Sequence, residues 1–193
     1  MSIVALKERL RTEALTRRAA LKSSVPELSR RLAQVFVGSI PIPPRSVVSA
    51  YFAIGDEADP AHLLEMLRAR GHRIALPRVT GRGKPLDFHL FEAGAQLVPG
   101  GFGLSEPGRD WPKVEPDVLA VPLLAFDASG YRVGYGAGFY DRTLAKLRAS
   151  KPVLAAGFAF SVQEFPDVPH DENDQRLDWT ATENGARHFD LHS

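Results

Sequence analysis

The sequence of 193 residues is long enough to bury one sizeable hydrophobic core and short for two, so a single domain over residues 1–193 is expected. Its 44% hydrophobic and 24% charged residues, with a net charge of +1, are typical of a soluble globular protein, and the absence of cysteine excludes disulfides, thiolate nucleophiles and cysteine-ligated zinc. No apolar run approaches about eighteen residues and no secretory signal is recognisable, so neither a membrane span nor export is predicted and a cytoplasmic protein is expected.

An amphipathic helix is predicted over residues 2–21, because apolar residues recur there at helical spacing. Lys7 and Arg11 lie four positions apart and therefore project from the same face of this helix. Like charges at this spacing repel by about 0.2–0.5 kcal/mol, which a shared anion would offset. The alternative is a solvated basic face, and periodicity alone favours that alternative.

A second helix and an alternating α/β region follow. The second helix is predicted to start at a capping box of Ser24 and Glu27 and to stop at Gly38. Further along the chain, strands are predicted over residues 47–52, 74–79, 86–90, 118–124 and 153–160, and helices over residues 60–71 and 139–148. This alternation predicts a largely parallel sheet with helices on both faces, a three-layer α/β/α, Rossmann-like fold.

Two features of the middle of the chain carry more local predictions. In the strand at 86–90, Asp87 and His89 alternate with apolar residues, which predicts one solvent-exposed face. Residues 99–116 are rich in glycine and proline and are interpreted as an ordered loop that contains Glu106 and Trp111.

The most informative motif is the run RVGYGAGFYDR at residues 132–142, in which three glycines at every second position precede a predicted helix. Glycines allow backbone N–H groups to approach a phosphate without interference from side chains. Arg132 and Arg142 can neutralise such an anion, and Asp141 is placed to hold its counter-cation. The run matches neither the dinucleotide-binding nor the Walker pattern, and its alternative interpretation is a tight glycine turn.

Three polar segments follow predicted strands and are expected to converge at the carboxyl edge of the sheet. They are Glu57, the glycine-rich run and the acidic loop at residues 171–174. Residues 1–31 hold eight basic against three acidic side chains, whereas residues 162–193 hold eight acidic against two basic ones. This asymmetry is typical either of a basic arm for nucleic acid or of two ends that meet around one anionic, metal-bearing ligand.

The segment VPLLAFDASGYR at residues 121–132, together with the glycine-rich run, resembles the signature of the 5-formyltetrahydrofolate cyclo-ligase (5,10-methenyltetrahydrofolate synthetase) family almost position for position. Weaker similarities run nearly end to end, at residues 7–11, 56–57, 76–78, 103–107, 173–174 and 182–183. The sequence departs from the family pattern at Ala137, Phe139 and Asn173, where glycine or lysine, tyrosine and histidine are frequent. The substitution at Ala137 affects any contact that a side chain at this position would make with the substrate. It does not affect the backbone N–H groups of the glycine-rich run.

The resemblance implies an ATP- and Mg²⁺-dependent enzyme that cyclises 5-formyltetrahydrofolate to 5,10-methenyltetrahydrofolate and releases ADP and phosphate. By this resemblance, ATP would be bound by Lys7, Arg11, Arg132, Gly134, Gly136, Gly138 and Tyr140. The folate site would be lined by Phe52, Glu57, Tyr135, Gly136, Ala137, Gly138 and Phe139. The metal would be held by Asp141 and Asp174.

The residue types suit this reaction. Phosphoryl transfer from ATP to the N-formyl oxygen would give an iminium phosphate, which the neighbouring N10 amine attacks to close a five-membered ring. Such a transfer needs positioning and charge neutralisation rather than a protein nucleophile, which fits a chain without cysteine or a G-x-S-x-G motif. The Glu57 carboxylate can accept paired hydrogen bonds from a pterin edge, whereas an exposed loop acid is the alternative interpretation of Glu57.

Two other functions stay open at this point. One is a folate- or nucleotide-binding module on the same fold without catalysis, and the other is nucleic-acid binding through the basic first helix, which the balanced overall charge disfavours. The expected partner is the small-molecule substrate, free or polyglutamylated, with no nucleic acid and no membrane. A monomer is expected.

Overall fold

In the computed structural model, which describes residues 2–100 and 105–190, the chain folds as a mixed α/β protein. The helices are α1 (Ile3–Ala19), α2 (Val25–Ser39), α3 (Ala61–Ala69) and α4 (Phe139–Arg148), and a short 3-10 helix spans Ser161–Gln163. The strands are β1 (Val47–Ser49), β2 (Arg73–Arg78), β3 (Asp87–Leu90), β4 (Val98–Pro99), β5 (Ser105–Glu106), β6 (Lys113–Val114), β7 (Val118–Val121), β8 (Ala125–Phe126), β9 (Arg132–Val133), β10 (Leu154–Phe158), β11 (Trp179–Thr182) and β12 (Gly185–His188).

One large sheet organises the molecule, with strand order β12-β11-β10-β7-β1-β2-β3-β6. The central strands from β11 to β2 run parallel. At the two sides, β12 pairs antiparallel with β11 and β3 pairs antiparallel with β2, while β6 pairs antiparallel with β3. The predicted, largely parallel sheet is thereby confirmed. Because β1, β7, β10 and β11 point the same way, the segments that follow them leave the sheet at one edge.

Helices cover both faces of the sheet. On one face, α2 and α3 pack Phe36 and Leu63 against Val48 of β1. On the other face, α4 packs Leu144 against Leu119 of β7. Helix α1 contacts β8, β9 and the 3-10 helix instead, so it lies beside the segments that leave the carboxyl ends of β7 and β10. Among the described residues, no helix combines the length and apolar character needed to cross a bilayer.

The strands are shorter than the apolar runs that predict them. Strand β1 ends at Ser49, although Ala50 and Tyr51 are also buried, and β7 ends at Val121, although Leu123 and Leu124 are buried. In a sheet covered on both faces, hydrophobic residues continue past the last ladder hydrogen bond into the covered turns.

Two local predictions are wrong. His89 is buried rather than solvent-exposed, because the chain beyond β3 folds back over it and the Trp111 carbonyl lies 2.7 Å from its Nδ1. Ser24 precedes α2 but makes no side-chain cap hydrogen bond. Its backbone is near the helical region, whereas a capping serine needs an extended conformation to aim its hydroxyl at the first turn.

The segment interpreted as a loop at residues 99–116 contains the short strands β5 and β6 and brings two regions of family resemblance together. The buried Glu106 carboxylate accepts a hydrogen bond from the Val79 amide at 3.1 Å and lies 3.6 Å from the Arg78 guanidinium. Gly103 and Leu104, which belong to the resembling segment 103–107, lie outside the described residues.

Candidate active site

One face of α1 carries Lys7, Arg11 and Arg18. Their separations of four and seven positions correspond to about one and two helical turns, so the three side chains project in the same direction. The Lys7 ammonium lies 2.5 Å from Oδ2 of Asp174 and 3.3 Å from Oδ2 of Asp171. The basic N-terminal helix and the acidic loop near the C-terminus are therefore joined directly.

The charge state of Lys7 follows from these contacts. Burial lowers the pKa of the Lys7 ammonium, but the Asp174 and Asp171 carboxylates outweigh burial and the pKa is raised above its ordinary value. Lys7 therefore remains a cation at neutral pH, which is the state that a phosphate ligand requires.

Arg11 holds the glycine-rich run against α1. Its Nε donates to the Gly134 carbonyl at 2.9 Å, and its Nη1 donates to Glu8 at 2.8 Å. A Cβ atom placed on Gly136 would approach the Arg11 guanidinium to 3.3 Å. The absence of a side chain at Gly136 therefore lets the loop and the helix make close contact.

Backbone conformation explains two of the glycines. Gly136 has φ of 97° and Gly138 has φ of 65°, a left-handed region that side chains with a Cβ disfavour. A Cβ on Gly138 would also lie 2.7 Å from Nη1 of Arg142. Because α4 begins at Phe139, directly after this turn, the free N–H groups of its first turn and the loop amides provide donors for an anion.

Arg132 and Asp141 form an ion pair at the start of α4, in which the arginine is buried and the aspartate is partly exposed. Arg132 is 7% exposed, and its Nη2 donates to Oδ1 of Asp141 at 2.8 Å. Its Nη1 donates to the Gln175 carbonyl, and the Gln175 amide donates to Oδ1 of Asp141 at 3.1 Å. Burial lowers the pKa of the Arg132 guanidinium, and the Asp141 and Asp174 carboxylates both act against this shift. Asp141 from the first turn of α4 and Asp174 from the acidic loop therefore both act on one guanidinium.

The carboxylates of Asp141 and Asp174 fit the needs of Mg²⁺. The contacts described above use one oxygen of each carboxylate, so the second oxygen remains available to a cation. Within residues 2–100 and 105–190, no three His, Cys, Asp or Glu side chains gather as a metal cage. Mg²⁺ requires none where phosphate oxygens and water complete its octahedral shell.

Glu57 is buried at the loop that follows β1, with only 3% of its surface exposed. Its Oε2 accepts a hydrogen bond from the Ile54 amide at 2.8 Å, whereas its Oε1 has no hydrogen-bond partner among the described residues. Burial raises the pKa of the Glu57 carboxyl, and the Ile54 amide, the Arg18 charge and the Tyr135 hydroxyl offset this only in part. An oxygen so placed is suited to accept a hydrogen bond from a ligand.

Burial of Glu57 predicts a pH-dependent cost to stability. A raised pKa means that the folded state binds the proton more tightly than the unfolded state, so this contribution to stability falls as pH rises from 4.5 through the raised value. In the absence of ligands, we expect Glu57→Gln to gain stability relative to the wild type as pH rises through this window. Denaturant unfolding at pH values below and above the window measures the difference.

The exposed Glu115 offers the matched control for this measurement. Glu115→Gln removes a carboxylate of the same kind without removing a burial cost, so its stability difference from the wild type should be the same at both pH values. A Glu57→Gln difference that does not change with pH would contradict the burial argument.

Tyr135 and Tyr140 connect the parts of the site. The Tyr135 hydroxyl accepts a hydrogen bond from Nη2 of Arg18 at 2.8 Å, while about half of the residue is exposed. Burial raises the pKa of the Tyr140 hydroxyl, the Glu57 charge raises it further, and the Arg132 charge opposes both. The charges of Glu57 and Arg132 therefore both act on the Tyr140 hydroxyl.

With this geometry in place, comparison with known proteins is decisive. The model of the 5-formyltetrahydrofolate cyclo-ligase family matches residues 3–183. The chain belongs to this family. The 5-formyltetrahydrofolate cyclo-ligase of Mycolicibacterium smegmatis is 36% identical, and the alignment covers 86% of this chain and 89% of that relative. The enzyme of the same name from Escherichia coli K12 is 31% identical, covering 82% and 89%.

A solved structure supports the same assignment. The chain resembles the NMR structure of Aquifex aeolicus 5,10-methenyltetrahydrofolate synthetase with a TM-score of 0.79 and 31% identity, covering 97% of this chain and 95% of that one. Similarity over almost the whole of both chains means that this cyclo-ligase family member shares the complete fold.

The residues that the family resemblance singles out are brought together with one exception. Lys7, Arg11, Arg132, Asp141, Asp174 and the glycine-rich run form one connected cluster, and electrostatic contacts link Glu57, Tyr135 and Tyr140 to it. Phe52 is the exception in its contacts: it lies in the same loop as Glu57 and is partly exposed, but its ring packs edge-on against Phe91 with centroids 6.2 Å apart. Phe139 begins α4, with the Arg142 guanidinium 5.8 Å from the centre of its ring.

Sequence reasoning missed Arg18 in this cyclo-ligase. It is 4% exposed and contacts Tyr135, so it belongs to the site rather than to a solvated basic face. A signal exists in the sequence, because residue 18 lies eleven positions beyond Lys7. That separation is almost a whole number of helical turns and places Arg18 on the same face as Lys7 and Arg11.

Proposed function

We propose that the protein catalyses the ATP-dependent cyclisation of 5-formyltetrahydrofolate to 5,10-methenyltetrahydrofolate, with release of ADP and phosphate. The family assignment supports this reaction, and so do relatives whose names identify its substrate and its product. The observation that carries the proposal is the position of Lys7, which reaches from α1 to Asp174 beside the glycine-rich run and the Arg132–Asp141 pair. Cations, carboxylates and backbone donors thus converge in the way that phosphoryl transfer requires.

The phosphates of ATP are proposed to lie between α1 and the start of α4. Lys7, Arg11 and Arg132 supply positive charge there. The backbone of Gly134, Gly136 and Gly138 supplies N–H donors, and Tyr140 lies at the border with the folate site. Three cations and several backbone donors suit a polyanion that arrives with Mg²⁺, because the metal would neutralise the neighbouring aspartates.

Asp141 and Asp174 are the proposed ligands of Mg²⁺. Bound Mg²⁺ would neutralise charge on the phosphate oxygens during the transfer. In the absence of ligands, Lys7 and Arg132 satisfy these carboxylates. The same cations are expected to turn partly toward phosphate when ATP binds, which leaves carboxylate oxygens for the metal.

The folate is proposed to bind against Glu57, Tyr135 and the glycine-rich run, with Phe52, Ala137 and Phe139 as further contacts. The pterin ring presents an amino group and a ring N–H side by side, and the Glu57 carboxylate can accept a hydrogen bond from each. Tyr135 is half exposed and therefore has ring surface free to stack on the pterin.

In the proposed reaction, the formyl oxygen attacks the γ-phosphorus and ADP leaves. The lone pair of N5 forms a C=N bond to the formyl carbon, which gives the iminium phosphate. The N10 amine then attacks this carbon, the C–O bond breaks, and phosphate leaves with the N10 proton. The side chains position reactants and neutralise charge, and no covalent bond to the protein forms.

The remaining proposals concern the state of the molecule. We infer that residues 1–193 act as a single domain and a monomer in the cytoplasm, and that the substrate includes polyglutamylated forms.

The proposed activity is tested by mixing the protein with 5-formyltetrahydrofolate, ATP and Mg²⁺ and recording the near-ultraviolet band of the methenyl product. The band should require all three additions, and ATP hydrolysis without ring closure would contradict the proposal.

The two proposed metal ligands make a separate prediction. Asp141→Asn and Asp174→Asn keep the shape of the side chain and remove its charge, so each should raise the Mg²⁺ concentration needed for half-maximal rate. Magnesium titration of the steady-state rate measures this, with a denaturant midpoint recorded for each variant to establish folding.

The control for the metal prediction is Asp167→Asn, which removes the charge of an exposed aspartate elsewhere in the same acidic region. It should titrate like the wild type. If Asp174→Asn also does so while Asp141→Asn does not, Asp174 is not a metal ligand, and Asp171, Glu172 or Asp178 becomes the next candidate.

A further inference from the structure

Arg18 is a buried cation with donors that nothing in the described chain uses. Only 4% of the residue is exposed, and Nη2 donates to the Tyr135 hydroxyl at 2.8 Å. The guanidinium also lies over the Tyr135 ring, 5.9 Å from its centre. Nε and Nη1 have no hydrogen-bond partner among the described residues. Leaving N–H groups of a buried guanidinium without acceptors costs free energy of folding. This arrangement points to a ligand that accepts hydrogen bonds from them.

A buried acceptor without a partner lies in the same place. Oε1 of Glu57 is unpaired, and the charge of Arg18 stabilises the Glu57 carboxylate electrostatically. The Tyr135 hydroxyl, which accepts a hydrogen bond from Arg18, also helps to lower the pKa of the Glu57 carboxyl. No hydrogen bond joins Nε or Nη1 of Arg18 to Oε1 of Glu57 within the described parts of the chain. Buried donors without a partner therefore lie near a buried acceptor without a partner, with Tyr135 in contact with both residues.

This arrangement matches the edge of a pterin. Along that edge, the ring carries an amino group, a ring N–H and a carbonyl oxygen, which are donor, donor and acceptor in order. A carboxylate satisfies the first two groups, and a guanidinium beside it satisfies the third. Building on the proposed function, we propose that Arg18 is a specificity-determining residue that donates to the pterin carbonyl while Glu57 accepts from the adjacent N–H groups.

The test compares two ligands that differ at this position. One is 5-formyltetrahydrofolate, and the other is its 4-amino analogue, in which an amino group replaces the ring carbonyl and the adjacent ring nitrogen no longer carries a hydrogen. The loss of that N–H acts on Glu57 equally in the wild type and in the Arg18 variants, so the change in preference on substitution of Arg18 is the part that reports the carbonyl contact. We expect the wild type to prefer the carbonyl form by at least roughly tenfold in calorimetric Kd, because a donor opposite a guanidinium leaves both groups unpaired. In Arg18→Met this preference should fall by roughly tenfold or more, while ATP affinity changes less than about twofold.

Three further variants separate recognition from structural support. Arg17→Met removes the neighbouring arginine, which pairs with Glu13 on a more exposed face, and should keep the preference. Tyr135→Phe removes the hydroxyl partner but leaves the guanidinium, and it should also keep the preference. Arg18→Lys retains the charge without the planar fork, so it should show a reduced preference even if Arg18→Met fails to fold.

Equal weakening of both folate ligands in Arg18→Met and Arg18→Lys would overturn the inference, because it would mean that Arg18 only supports Tyr135. A loss of ATP affinity instead would assign Arg18 to the phosphates and would also overturn it. If the wild type binds and cyclises 5-formyltetrahydrofolate but the variants keep the preference, the proposed function stands and this inference fails. A wild type that neither binds nor cyclises the substrate rejects both.

Discussion

Glu57→Gln is expected to weaken the binding of 5-formyltetrahydrofolate by about 2–4 kcal/mol, since charged hydrogen bonds contribute about 1.5–3 kcal/mol each and are not additive. This corresponds to roughly 30- to 700-fold in Kd. Glutamine keeps the size of the side chain but replaces one acceptor oxygen with a donor, which would face a pterin N–H. Calorimetry with 5-formyltetrahydrofolate and with ATP should show the loss for the folate alone.

The exposed Glu115 again offers the control, because Glu115→Gln should leave both affinities at the wild-type values. The proposed denaturant unfolding also serves as the check for misfolding, since Glu57→Gln is expected to be at least as stable as the wild type at neutral pH. Loss of ATP affinity with unchanged folate affinity would mean that the pterin does not bind at Glu57.

Lys7→Ala is expected to weaken ATP binding by roughly ten- to hundredfold, because one charged contact to phosphate contributes about 1.5–3 kcal/mol. The affinity for 5-formyltetrahydrofolate should change much less, and unfolding should remain cooperative. Lys7 pairs with Asp174 and Asp171 in the absence of ligands, so the variant also releases two carboxylates near the phosphates. Their repulsion adds to the loss, and higher ionic strength should reduce this added part.

Lys22→Ala provides the comparison for Lys7→Ala, because it removes an exposed cation from the same basic segment. It should leave ATP affinity unchanged, since Lys22 is exposed and lies beyond the end of α1. Equal ATP affinities for Lys7→Ala and the wild type would assign Lys7 a structural ion pair with Asp174 and no part in binding phosphate.

The fold could be predicted from the sequence where local signals agree. Helix α4 has the predicted bounds because a left-handed glycine at residue 138 precedes it and an amphipathic pattern continues to residue 148. The strand ends were predicted too far along the chain, since residues buried in the turns beyond β1 and β7 are as apolar as those in the strands. The burial of His89 depends on a return of the chain over β3, which residues near position 89 do not encode.

The site was predictable where charge and glycine pattern are informative, as for the contact between the basic first helix and the acidic loop. The burial of the Glu57 carboxylate could not be predicted, because neither spacing nor composition indicates that the loop after β1 buries it. Arg18 was missed because a polar residue in an amphipathic helix is normally counted as solvated. Its position relative to Lys7 indicates the shared face, but only tertiary packing buries the guanidinium beside Tyr135.

The central claim is that this chain couples ATP cleavage to ring closure through phosphorylation of the formyl oxygen. The most direct test is a reaction with 5-formyltetrahydrofolate labelled with ¹⁸O in the formyl group, followed by mass spectrometry of the released phosphate and quantification of ADP and methenyl product. We predict that the released phosphate carries the label and that ADP and methenyl product form in equal amounts. Unlabelled phosphate, or ADP in excess of methenyl product, would contradict the account.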